Sequence, residues 1–142
     1  MNRIRITKIF QFEAAHSLDH HEGLCANLHG HSYRLEICVI GGVQSGSHSE
    51  SGMVMDFQAL KQIVSEVILN HFDHALIVER QSPYKIQTTK RVEMDVQPTC
   101  ENMLLFFAER LRNELPEHVE LHHLKLHETA TGYAEWYAED NL

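Results

Sequence analysis

Apolar and polar residues alternate from the start of the chain. Ile4 and Ile6, then Phe10, Phe12 and Ala14, fall at a period of two with one slip near Ile9, which predicts a strand carrying a bulge. A polar loop, 17–27, separates it from a second alternating run. There His29, His31, Tyr33, Leu35, Ile37 and Val39 share one face of a predicted strand. Gly41-Gly42 and the Ser/Gly/His run 45–52 predict a turn, and Met53 to Met55 a short strand.

The period then changes. Asp56 is placed to cap a helix from Phe57 to about Asn70, with Leu60, Ile63, Val64, Val67 and Ile68 on its apolar side. Ser82-Pro83 opens a polar, partly basic loop that reaches Arg91, after which Val92, Met94 and Val96 alternate as a strand. Thr99 is placed to cap a second helix with Met103, Leu104, Phe107 and Leu111 inward, ended by Pro116. Leu124, Leu126 and Glu128 mark one more strand face, and 133–138 a last strand. Paired strands with short connections, interrupted by two helices, predict an α+β fold: an antiparallel sheet with the helices on one face. At 142 residues, without an internal repeat or linker, the chain reads as a single domain, 1–142.

Composition narrows the function. A net charge of −8 argues against nucleic-acid binding, which needs clustered Lys and Arg. No apolar run approaches the ~20 residues of a membrane span, and the first ten residues lack a signal-peptide core, so the expected location is cytoplasmic. Three cysteines without CxxC spacing are expected as thiols, with Cys38 buried and inert on its strand. The informative count is twelve histidines.

Strand residues two apart point the same way, so the imidazoles of His29 and His31 can converge on one ion. Gly30 between them removes a side chain from the opposite face and permits close backbone approach. His16 ends the preceding strand in phase with Phe12 and Ala14, and antiparallel pairing brings it to the other two. Three imidazoles without a fourth protein ligand describe an open zinc site of the catalytic kind. By contrast His20-His21, His48, His118 and His122-His123 read as solvated.

With those residues in place the chain resembles the 6-pyruvoyl-tetrahydropterin synthase family, which includes bacterial 6-carboxy-tetrahydropterin synthase. The resemblance rests on an ordered set running from Phe12 to about Tyr133. In order these are Phe12-Glu-Ala-Ala-His16, Cys25-x-x-x-His29-Gly-His31, Gly52-Met-Val-Met-Asp56-Phe, Phe72-Asp73-His74 and Pro98-Thr99-Cys100-Glu101-Asn102, followed by Glu128-Thr129. It implies the tunnelling fold (T-fold), a zinc ion on His16, His29 and His31, a catalytic thiol at Cys25, and an acid–base pair at Asp73 and His74. It also implies that Glu128 anchors the pterin ring and that Thr99 lines its pocket. Glu101 is a further substrate-binding candidate, although a glutamate near a helix start also complements the macrodipole.

The implied partners are a small pterin triphosphate and further copies of the chain, in a homohexamer with active sites between subunits, so that Cys25 and the His74 pair come from different chains. The implied reaction is zinc-dependent conversion of 7,8-dihydroneopterin triphosphate to 6-carboxy-5,6,7,8-tetrahydropterin, a step toward deazapurine nucleosides such as queuosine. The alternatives are the 6-pyruvoyl product, formed with loss of triphosphate, and a non-catalytic zinc- or pterin-binding protein on the same fold. Three positions depart from the family pattern: Cys100 in place of a small residue, Phe72 in place of leucine, and a longer loop at 81–91. Arg80, Lys85, Lys90 and Arg91 around that loop could bind triphosphate, but a charged loop reads first as simply solvated.

Overall fold

A computed structural model describes residues 2–84 and 90–142. Lys85 and the centre of the 81–91 loop therefore lie outside the described residues. Six strands form one sheet: β1 (Arg3–His16), β2 (His29–Gly42), β3 (Ala75–Glu79), β4 (Arg91–Met94), β5 (Val119–His127) and β6 (Tyr133–Tyr137), in the order β4-β3-β1-β2-β5-β6. Strands β1, β2, β5 and β6 pair antiparallel, as the short connections predict. The sheet as a whole is mixed, because β3 runs parallel to β1 and β4 parallel to β3. Parallel neighbours need a crossover, and the first helical segment supplies the one that carries the chain from β2 past β1 to β3.

Several expectations meet a different physical answer. Strand β1 pairs with β2 in unbroken register from Arg3↔Gly42 to His16↔His29, so no bulge lies near Ile9. The slip arises because Lys8 takes an inward position, its ammonium 5.9 Å from the centre of the Phe57 ring, while Ile9 faces solvent. The irregularity lies in β5 instead, opposite Cys38 and Val39. Residues 53–55 form no strand. Val54 and Met55 are buried beneath a turn in which the Gln44 amide donates to the Met53 carbonyl. Strand β3 escaped the periodicity reading because Ala75, Leu76, Ile77 and Val78 are all buried, leaving an apolar run with no alternation.

The helices follow their caps. The Asp56 carboxylate accepts from the Gln58 amide at 2.8 Å and opens α1 (Phe57–Val64). A π-helical stretch (Ser65–Leu69) and a last turn, α2 (Asn70–Phe72), continue it. Thr99 caps α3 (Cys100–Glu114) by accepting from the Asn102 amide at 3.1 Å. Both helical segments lie on the sheet face that carries Phe10, Phe12, Tyr33, Leu35 and Ile37. Phe107 meets Phe12 edge-on at 6.2 Å and Phe72 at 4.9 Å, so the phenylalanine at 72 is accommodated by aromatic packing. No helix among the described residues is long and apolar enough to cross a membrane.

Candidate metal centre

The β1–β2 ladder ends where the chemistry begins. His16 closes β1 directly opposite His29, which opens β2, and His31 follows two residues on along the same face. The three rings form a nearly equilateral set, with centroids 4.6, 4.9 and 5.0 Å apart. One ring nitrogen from each lies within 4.8 Å of the others. His16 Nε2 and His29 Nε2 are 2.9 Å apart, near the roughly 3.3 Å that two nitrogens on a tetrahedral zinc adopt when each bond is about 2.0–2.1 Å.

The far side of each imidazole decides which nitrogen is free. His16 Nδ1 donates to the Pro98 carbonyl at 2.8 Å and His29 Nδ1 to the Asn27 carbonyl at 2.6 Å. An Nδ1 held as a donor leaves the Nε2 lone pair for a metal, the usual outer-shell arrangement of a metal-bound histidine. His31 Nε2 is buried and has no hydrogen-bond partner among the described residues. An orphaned buried nitrogen is costly unless a cation takes it up, so the residues fit a bound ion. Burial pushes His16 down to about 4, with lesser contributions from His29 and His31 working against the Pro98 bond. Burial likewise lowers His31 against the opposing pull of Glu128. Both rings are thus neutral near pH 7, the form that ligates.

Glu128 sits over this triad. Its Oε1 lies 3.6 Å from His16 Nε2 and 3.7 Å from His31 Nε2, near enough for charge interaction and too far for a hydrogen bond. A tight turn positions it after β5, the amides of Glu128 and Thr129 both donating to the Gly132 carbonyl. Tyr33, buried beneath, has its hydroxyl 3.3 Å from His16 Nδ1, and burial raises its phenol so that it keeps its proton. Burial also pushes the Cys100 thiol up to about 12, with Glu128 adding to the effect. Cys100 donates to the Leu126 carbonyl at 3.2 Å and serves as a packed, unreactive thiol.

The remaining predicted residues divide into two places. Cys25 is half-buried in a short 3-10 turn (Leu24–Ala26) between β1 and β2, in a loop closed by the Leu18 amide donating to the Cys25 carbonyl. Asp73 and His74 stand where α2 ends, and His74 adopts a φ of 62°, turning the chain sharply into β3. Asp73 Oδ1 accepts from the Glu13 amide at 3.0 Å and lies 3.0 Å from His74 Nδ1. His74 borders a cleft of about 390 Å³ with Glu13, Ala15, Gly30 and Ser32. By strand alternation Glu13, Ala15, Gly30 and Ser32 face away from the triad, although the same cleft also reaches Ala14 and His31, so His74 stands against the sheet face opposite the imidazole cluster. Gly30 leaves the far face of the strand without a side chain, as expected, but no close backbone approach requires it. A Cβ there would make only an ordinary 3.5 Å contact with the Ala14 carbonyl, so the glycine serves to keep the cleft open.

Thr99 is half-buried beside Pro98, whereas Glu101 is exposed on the first turn of α3, where it complements the helix dipole. Arg80 is engaged by Asp95 at 2.9 Å and Glu93 at 3.4 Å, and Arg91 by Glu93 at 3.3 Å, so neither guanidinium is simply solvated. Sequence reasoning missed the carbonyls of Asn27 and Pro98, which carry no side-chain signal, and Tyr33, read only as a core position.

Comparison with known proteins shows the family and agrees with this fold. The family model described as 6-pyruvoyl tetrahydropterin synthase matches residues 5–139. A Haemophilus influenzae 6-carboxy-5,6,7,8-tetrahydropterin synthase is 34% identical over 140 residues, covering 93% of this chain and 97% of that one. An Aquifex aeolicus protein of the same name is 32% identical, covering 94% and 98%. Among solved structures, Caenorhabditis elegans 6-pyruvoyl tetrahydropterin synthase superposes with a TM-score of 0.71 at 25% identity, covering 97% of each chain. An uncharacterized Wolinella succinogenes protein shares the fold with a TM-score of 0.80 at 20% identity, covering 97% and 99%.

Proposed function

Because the chain belongs to the 6-pyruvoyl tetrahydropterin synthase family, we propose that it is a 6-carboxy-5,6,7,8-tetrahydropterin synthase acting on 7,8-dihydroneopterin triphosphate, with zinc held by His16, His29 and His31. The carrying observation is the imidazole triad, with two Nδ1 atoms tied to backbone carbonyls and a third ring's Nε2 left unpartnered. The name of relatives matched over nearly their whole length supports the carboxylated product, and a step in queuosine-type biosynthesis is the place proposed for it.

When bound, zinc supplies a Lewis acid that polarises side-chain oxygens of the substrate and stabilises negative charge on the carbons next to them. The chain's own residues do the rest. Glu128 accepts paired N–H donors from the aminopyrimidine edge of the pterin, a charge-assisted recognition that also orients the substrate side chain toward the triad. Thr99, beside the buried His16–Pro98 contact, borders the ring. Cys25, as thiolate, removes a proton from the substrate side chain. The Asp73 carboxylate keeps the His74 proton on Nδ1, so that His74 Nε2 takes up and returns protons.

Since Asp73 and His74 lie across the sheet from the triad, a complete site needs the pair from a second copy of the chain. A ring assembly, a homohexamer in this reading, meets that requirement. Product analysis tests the proposal. Mass spectrometry after incubation with dihydroneopterin triphosphate is expected to show a carboxylated pterin with acetaldehyde released. A pyruvoyl pterin would reassign the product, and unchanged substrate would leave only binding.

A further inference from the structure

The second sheet face carries another convergent set of ligand atoms. On β5, His123 pairs with Cys38 and Leu121 pairs with Val39, so His122 is an extra residue that has no opposite number on β2. Adjacent residues of a regular strand point to opposite faces, but a bulge breaks that rule locally. Here it brings His122 Nδ1 and His123 Nδ1 to 3.2 Å from each other. The Cys38 sulfur completes a group whose three ligand atoms all lie within 4.8 Å of one another. Cys38 lies between Ile37 and Val39, which point into the helix-covered core, so it faces the other way and is only 1% exposed. The group is thus on the sheet face opposite His16, His29 and His31.

We propose that Cys38, His122 and His123 form a second metal site, which takes a zinc ion through one thiolate and two imidazoles. The nitrogen separation matches the roughly 3.3 Å expected for two imidazoles on a tetrahedral zinc, and a thiolate with imidazoles is a donor set that zinc favours. Without an ion, one Nδ1 donates a hydrogen bond to the other, and the Cys38 thiol has only a long 3.9 Å contact with the Val39 carbonyl. The rings are held in place beforehand. His123 stacks on Tyr137 at 4.9 Å and 13°, and His122 meets the same ring edge-on at 6.1 Å. Burial lowers His123 most, with His122 and Arg5 acting in the same sense and the Glu135 and Glu36 carboxylates opposing. The two carboxylates also favour a cation. Three protein ligands leave one position for water, and the ion would pin the bulge of β5 to β2.

The site is tested with cobalt, whose near-ultraviolet thiolate charge-transfer band reports sulfur ligation, added to the demetallated full-length protein. The measurement uses a Cys25→Ala background, so that the half-buried thiol in the loop between β1 and β2 contributes nothing. Two cobalt ions per chain are expected, one of them with the thiolate band. Cys38→Ser should abolish the band and lower the stoichiometry to one. His122→Gln, at a half-buried position that leaves the core intact, should weaken band formation by more than the roughly tenfold that loss of an outer-shell partner costs. A single cobalt per chain, no thiolate band in the Cys25→Ala protein, or a band indifferent to both substitutions would overturn the assignment.

Discussion

His16 and Pro98 lie 82 residues apart in sequence, yet the imidazole Nδ1 donates to the proline carbonyl at 2.8 Å. The bond ties the end of β1 to the segment that launches α3 and holds the ring in the tautomer that ligates. Burial, against the opposing pull of this bond, keeps the histidine neutral.

That burial sets a pH dependence for the demetallated protein. The unfolded chain protonates His16 near 6.5, whereas the folded chain does so only at about 4. Between those values the unfolded state binds more protons, so stability is full above about pH 6.5 and falls as the pH drops toward about 4. The loss is on the order of a few kcal/mol, levelling off below the folded value. Urea melts of chelator-treated wild type and His16→Asn across this range measure it. Equal acid slopes in the two proteins would show that His16 is not the group responsible.

The metal and the thiol are expected to separate cleanly. Cys25→Ala should retain zinc and lose turnover by about 10²–10⁴-fold, the range for a positioned base. His31→Ala should lose both, because its buried Nε2, without a hydrogen-bond partner among the described residues, is the atom left for the ion. Bound zinc by elemental analysis and initial rates together decide. Full turnover in Cys25→Ala would remove the thiol from the reaction.

Most of this site was legible because it sits on regular strands. His16, His29 and His31 obey the period of two, and antiparallel pairing alone brings them together. Asp56 and Thr99 were legible as caps because their side chains make the very bonds that helix starts require. What stayed hidden breaks periodicity or lacks a side chain. Strand β3 is buried on both faces, the β5 bulge turns His122 and His123 from solvated residues into a half-buried pair, and the carbonyls of Asn27 and Pro98 leave no trace in residue type. The parallel placement of β3 and β4 depends on a crossover, which local pattern does not specify.

Thr99 couples helix capping to the metal site. Its hydroxyl accepts from the Asn102 amide, and the adjacent Pro98 carbonyl holds His16. Thr99→Ala should cost about 1 kcal/mol of stability through the lost cap. It should also weaken zinc retention, as Pro98 loosens. Thr99→Ser keeps the hydroxyl and should restore both. A stability loss without any change in zinc affinity would limit Thr99 to capping.

Glu128 should act on substrate and not on metal retention. Its carboxylate stands 3.6–3.7 Å from two ligand nitrogens, outside bonding distance. Glu128→Gln preserves shape but removes the charge, so it forfeits charge-assisted hydrogen bonds that contribute about 1.5–3 kcal/mol each. The expected result is a substrate affinity lowered at least tenfold at unchanged zinc content. Calorimetric titration with a non-reacting pterin reads the affinity, and unaltered binding would place the pterin elsewhere.

Asp73 offers the sharpest test of a proton relay. One carboxylate oxygen both accepts from the Glu13 amide and faces His74 Nδ1, so it fixes the turn and the tautomer together. Asn at this position can still accept from Glu13, but its amide can also donate toward His74. The imidazole is then free to carry its proton on Nε2, where the relay needs a lone pair. Asp73→Asn is therefore expected to fold normally, to keep its zinc, and to lose about 10²-fold or more in kcat. The pH profile separates this from a merely structural change: the limb that reports His74 should move or vanish in Asp73→Asn. Wild-type kcat together with a wild-type pH profile would mean that the pair is only the cap of a helix end, and that protons move by another route.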